Sequence, residues 1–145
     1  MNILKKWVLP VVAGFIVASI IMVIFEFINS FFFPLPKDLD WNNIEAVQAV
    51  TASLPWTAYI LVFLGWAVGA FEGGCTTAWL GGQKQFQVTT VLAVLLVLAR
   101  TLDMAILGFP RLFTALGICI VAVFPYLGRF ALNTFEKKKR ATMVA

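Results

Sequence analysis

The sequence predicts an all-α integral membrane protein: four spanning helices in one bundle, with a short amphipathic helix in the first extracytoplasmic loop. Three observations lead there. Of 145 residues, 61% are hydrophobic and 12% charged, with mean hydropathy +0.94, whereas a soluble domain is about half apolar and a quarter charged. The apolar residues fall into four runs divided by Pro, Gly and polar clusters. The cations sit at the ends of those runs rather than on one face. That placement sets topology and excludes a nucleic-acid footprint. The whole chain, 1–145, reads as a single transmembrane domain.

Span one is predicted over residues 7–33, after Lys5 and Lys6. A basic start before an apolar run imitates a signal peptide, but a signal core is about 7–15 residues long. This run is longer and shows no convincing cleavage site, so it is expected to stay uncleaved. Pro10 falls in the first turns, where a missing N–H costs little. Phe31, Phe32 and Phe33 form an aromatic exit, and Pro34 and Pro36 end the helix.

The connector to Pro55 is the main polar segment. Asp38, Asp40 and Asn42 are candidate N-caps, and Asn42 with Glu45 resembles a capping box. Trp41, Ile44, Val47, Val50 and Leu54 recur near helical spacing. They predict an amphipathic helix in the interface or folded over the bundle mouth, a tether rather than a substrate lid.

Span two is predicted over 55–80 and carries Gly65, Gly69 and Gly73, one helical turn apart. Such a ladder strips one helix face of side chains and admits another backbone closely. Packing inside the bundle is favoured over a dimer face. Span three, 86–108, is rich in Val and Leu and acquires Arg100 and Asp103. Span four, 110–132, begins with Pro110 at a position suited to proline. Pro125 within it is expected to free the carbonyl of Val121 and kink the helix. A basic cytoplasmic tail, 133–145, follows.

Lys5, Lys6, Lys84, Arg129 and the run from Lys137 to Arg140 fall on one side of the four spans. Asp38, Asp40 and Glu45 fall on the other, where Lys37 and Arg111 are the cations. The positive-inside bias then places both termini in the cytoplasm.

Charges inside the spans are the candidate functional residues, because each needs a partner, water or a proton. At 1.5 Å per residue, Glu26, Arg100 and Asp103 lie roughly 8–15 Å from the outer ends of their helices. Arg111 marks the outer mouth of span four. These four are expected to form a neutral outer network that fixes helix partners. Glu72 lies roughly 26 Å down span two, nearest in depth to Arg129 at about 28 Å, so an inner Glu72–Arg129 pair is expected. Failing that pair, Glu72 would be a protonated intramembrane acid, where proton coupling would reside.

Enzymatic chemistry finds little here. The chain has no His, and it carries no nucleophile-elbow or zinc-protease motif. No cofactor, metal or catalytic residue is expected. Cys75 and Cys119 differ in expected depth by roughly 15 Å, too far for a disulfide. They read as two buried free thiols.

The stretch from Glu26 to Gly74 resembles a family of small bacterial four-span membrane proteins with no assigned activity. The likeness rests on Glu26, Pro34-Leu35-Pro36, Leu39-Asp40, Leu54-Pro55, Gly65-Trp66-Ala67-Val68-Gly69-Ala70-Phe71 and Gly73-Gly74. It covers the first half of the chain. The family usually has an aliphatic or small residue where this chain has Glu72. The resemblance implies the four-span topology and a bacterial inner-membrane location.

Two functions remain. The first is a non-enzymatic accessory or assembly subunit whose partners are the lipid bilayer and other membrane-protein subunits or itself. The second is a small homo-oligomeric transporter or channel that uses Glu72 for proton or cation coupling.

Overall fold

A computed structural model describes residues 4–144, and no strand occurs among them. A π-helical turn, Leu4–Val8, feeds α1, Leu9–Phe32, with Pro10 in its opening turn. α1 stops as its exit prolines approach, and the Phe33 N–H closes on the Asn29 carbonyl at 2.8 Å.

α2, Ile44–Ser53, is capped by Asn43, whose side-chain oxygen accepts from the Ala46 N–H at 3.2 Å. This corrects the capping expected at Asn42. The Asn42 N–H instead donates to Asp40 Oδ1 at 3.0 Å, a local turn that delivers the chain to Asn43. Glu45 consequently lies second in the helix, where it favours the N-terminal dipole without closing a capping box.

α3, Trp56–Gly81, follows Pro55 and ends at Gly82, whose φ of +52° suits glycine. A short 3-10 turn, Gly82–Lys84, leads into α4, Gln85–Leu107. Gly108 terminates α4 in the left-handed region at φ +70°. α5, Arg111–Val144, runs well past the expected end at 132. The basic tail is therefore helical. Glu, Lys, Arg and Ala propagate a helix already nucleated, and Glu136 and Arg140 stand in the favourable four-residue order. α5 continues through Pro125, which is buried.

α3 is the central element and packs on α1, α5 and α4. Its glycine ladder faces α1. A Cβ at Gly69 would lie 2.8 Å from the Ala18 carbonyl oxygen, and one at Gly73 would lie 2.7 Å from that of Gly14. Gly14, Ala18 and Met22 answer from α1 at four-residue spacing, all buried. The Thr77 hydroxyl donates to the Pro10 carbonyl at 3.1 Å across the same seam. Gly14 leaves room for that hydroxyl. On the α5 side, a Cβ at Gly74 would come within 2.5 Å of Pro125 Cα. Trp66, Met22, Leu92, Leu96 and Val121 fill the interior between the seams.

Outside this core the surface is oily. Phe27, Phe31, Leu112 and Phe130 are 69–80% exposed. Three stretches are long and apolar enough to cross a membrane: Lys5–Phe32, Trp56–Leu107, which contains both α3 and α4, and Arg111–Met143.

The charges divide between the ends. Lys5, Lys6 and Lys84 line one cavity, and the Lys84 ammonium lies 4.3 Å from the Trp7 ring. Arg140 and Glu136 share a neighbouring cavity with Trp79 and Gln83. The acidic connector and α2 occupy the opposite end, where Gln48 reaches the last turn of α4.

Candidate functional site

Where α1 and α4 finish and α3 begins, three charges meet. Arg100 projects from the second half of α4, and one of its terminal nitrogens donates to Asp103 Oδ2 at 2.8 Å and Glu26 Oε1 at 3.3 Å. Asp103 follows Arg100 by three residues and so shares its helix face. Glu26 arrives from α1. The guanidinium lies 5.5 Å from the Trp66 ring, which gives the cation an aromatic floor. Arg100 is 14% exposed, against 44% and 46% for the two acids. Arg111, the first residue of α5, is exposed and makes no ion pair among the described residues. The cluster is thus not neutral: one guanidinium serves two carboxylates.

Above this cluster α2 closes a cavity of about 310 Å³. Gln48 holds α2 in place by donating to the carbonyls of Ala105 and Ile106 at 3.5 and 3.3 Å, two acceptors that the end of α4 leaves unsatisfied. The Tyr59 hydroxyl donates to the Thr51 carbonyl on the other flank. Glu26, Val62, Leu107 and Phe109 line both this cavity and a second of about 270 Å³ that reaches Trp66, Arg100 and Asp103. The two spaces therefore adjoin.

Buried polar atoms without partners gather here. Asn29 Oδ1, Trp66 Nε1 and Arg100 Nε are all buried and unpaired. Trp66 and Asn29 were not singled out by sequence reasoning as site residues. Their signals were a tryptophan inside a glycine ladder and an amide one turn beyond an intramembrane acid. Nothing in the residue pattern announced the cavity, which depends on where α2 folds back.

At the other end the structure does not bring Glu72 and Arg129 together. The Arg129 guanidinium lies 5.0 Å from the Phe86 ring of α4. Glu72 is exposed and forms no ion pair among the described residues. The reason is angular. Successive helix residues turn by about 100°, so Gly73 faces α1, Phe71, Gly74 and Cys75 face α5, and Glu72 leaves α3 on the outward side between them.

The ladder residues Gly65, Gly69 and Gly73 pack against Phe25, Ala18 and Gly14 of α1. They are unavailable to a partner. The cysteines are both free. Cys75 is half-buried and its thiol donates to the Gly128 carbonyl at 3.2 Å. Cys119 is exposed on α5, a correction to the expectation of two buried thiols. Among the described residues no three His, Cys, Asp or Glu side chains converge as a metal site would require.

No family model, curated protein or solved structure matches this chain. The functional argument accordingly rests on its own residues.

Proposed function

We propose that the chain crosses the membrane four times, through α1, α3, α4 and α5, and is a non-enzymatic accessory or assembly subunit of a membrane complex. Both termini are cytoplasmic and amphipathic α2 lies on the outer side. Lys5, Lys6, Lys84 and Arg140 group at one end, while the end that holds Asp38, Asp40 and Glu45 has Lys37 and Arg111, and this excess of cations supports that orientation. A bacterial inner-membrane location is what the family resemblance implies.

One observation carries the partner reading. Glu72 stands on the outward face of α3 without an ion pair among the described residues, seven residues short of the exposed Trp79. That places it roughly 10 Å inside the aromatic belt. An ionised side chain costs up to about 2.5–3.5 kcal/mol at bilayer centre and a protonated one still needs a hydrogen-bond partner, so in either form Glu72 gains from a helix that offers it one. The glycine ladder, spent on α1, no longer contributes to this case.

Mild-detergent purification followed by native mass spectrometry tests it. The chain is expected in a complex with a second membrane protein or a second copy, and Glu72→Leu is expected to deplete that complex without altering the fold. Wild-type protein recovered only as a monomer would end the proposal. The transporter or channel reading keeps one support, the same outward carboxylate, and any route past it runs between copies. Under that reading Glu72→Gln abolishes a pH-driven flux in proteoliposomes, and an unchanged flux rejects it.

A further inference from the structure

We infer that the cavity beneath α2 is a binding site for a small primary ammonium with an apolar or aromatic body. This rests on the outer residues alone and is independent of the proposal for Glu72.

Charge is the first argument. Arg100 neutralises one of its two carboxylates, leaving the cluster with one net negative charge in a site walled by apolar side chains. Both carboxylates are nearly half exposed, so solvent partly screens that charge and it favours a cation seated directly against them. A cation that brings its own apolar body satisfies both charge and walls. An anion meets two acids, and a neutral apolar molecule leaves the excess carboxylate uncompensated.

Hydrogen bonding is the second. Glu26 and Asp103 each use one oxygen on Arg100 and have a second oxygen with no protein donor. Asn29, one turn beyond Glu26 on α1, lines the same cavity, and its Oδ1 is buried without a partner. Among these oxygens it is Asn29 Oδ1 that is fully buried, and a buried acceptor without a donor is costly to leave unmade. An ammonium group supplies three N–H donors and no acceptor, matching the upper space, where the spare polar atoms are oxygens of Glu26 and Asn29; the unpaired donors Trp66 Nε1 and Arg100 Nε belong to the lower space.

Shape is the third. The upper space of about 310 Å³ is flanked by Phe33, Trp41 and Phe109, and aromatic faces favour a cation or a ring beside them. That volume is at the small end for ligand pockets. Trp66 is already covered by Arg100, so the ligand's aromatic contacts fall to the upper three.

The test uses the full chain in maltoside detergent and three probes on one scaffold, followed by calorimetry or tryptophan fluorescence. 2-Phenylethylammonium is expected to bind saturably. Neutral 2-phenylethanol and anionic 3-phenylpropanoate are expected to bind at least about tenfold more weakly, the ratio that a single well-made charge interaction supplies. Glu26→Gln should reduce ammonium binding by a similar factor. Should that variant fold poorly, Trp41→Ala leaves the ion triad intact, removes one aromatic wall and should still weaken binding several-fold.

Adding phosphatidylethanolamine to the micelles separates the two sources of an ammonium group. Displacement of the probe assigns the site to lipid headgroups, and retention assigns it to soluble amines; both keep ammonium as the ligand. Absence of saturable binding, equal binding of the neutral probe, or preference for the anion overturns the inference. So does unchanged affinity in both Glu26→Gln and Trp41→Ala.

Discussion

Gly74→Ala tests a backbone-to-backbone contact between α3 and α5. The added methyl carbon would lie 2.5 Å from Pro125 Cα and 2.7 Å from its carbonyl carbon, where ordinary contact begins at 3.4 Å. Both obstacles are backbone, so neither rotates away, and α3 and α5 must part by about 1 Å at that level. Overpacking of this kind costs about 1–3 kcal/mol, and two facing backbones put this case near the top, about 3. Against it stands the gain of about 1 kcal/mol when Ala replaces Gly inside a helix. The net is a loss of about 2 kcal/mol, or about 6 °C in thermal midpoint for a chain of this size. Circular dichroism melting in maltoside measures it. Gly117→Ala is the control, because its methyl meets the movable end of Met104 and the Trp66 ring rather than backbone, and its midpoint should fall less. An unchanged midpoint for Gly74→Ala would mean that α3 and α5 do not touch there, and the packing argument would fail with it.

Arg100→Met strips the counter-charge from Glu26 and Asp103 and should destabilise by about 1–2 kcal/mol, less than for a fully buried triad because both acids are partly exposed. Adding Glu26→Gln and Asp103→Asn to it should restore most of the loss in the same melting assay. Thr77→Val deletes the hydroxyl bonded to Pro10 and should cost about 0.6–1 kcal/mol, the range for hydrogen bonds between membrane helices; no change would place the Pro10–Thr77 seam in doubt. Lys84→Cys and Asp40→Cys, in a chain with Cys75 and Cys119 replaced by Ala, should react with an impermeant maleimide from opposite faces of oriented vesicles. Labelling from one face would reverse the topology. Gly69→Leu is expected to unfold the α1–α3 seam itself rather than release a partner, read as loss of the monomer's own melting transition.

Helix ends could be read within a residue or two because Pro and Gly interrupt the runs where backbone bonding must stop: Pro34 after α1, Pro55 before α3, Gly108 after α4. At the far end of α5 the apolar run and the helix stop at different residues. Hydropathy falls at 132, yet nothing between there and Val144 breaks a helix, so apolarity ended while helicity continued. The cap of α2 slipped from Asn42 to Asn43 because adjacent asparagines differ only in which backbone turn precedes them.

For the site, residue counting gives height along a helix and says nothing of direction around it. Glu26 and Arg100 share a level and their helices turn them toward each other, within 3.3 Å. Glu72 and Arg129 also share a level, but one points away from the bundle and the other toward α4. Azimuth comes from packing, and packing followed the glycines. The cavity was further from reach, since the side-chain bonds that fold α2 back come from Gln48 and Tyr59, neither of which differs in sequence from any other polar or aromatic residue.

The last turns of α5 have a separate consequence. From Thr134 to Met143 every residue is exposed, and the rod meets the rest of the molecule at the shallow cavity that Glu136 and Arg140 share with Trp79 and Gln83. It carries Lys137, Lys138, Lys139 and Arg140 against Glu136, a net +3 of the molecule's +4. The electrical sign that distant membranes and proteins meet is therefore held on a stalk outside the packed body. Evolution can lengthen, shorten or recharge that stalk while the helices that hold the fold together remain undisturbed.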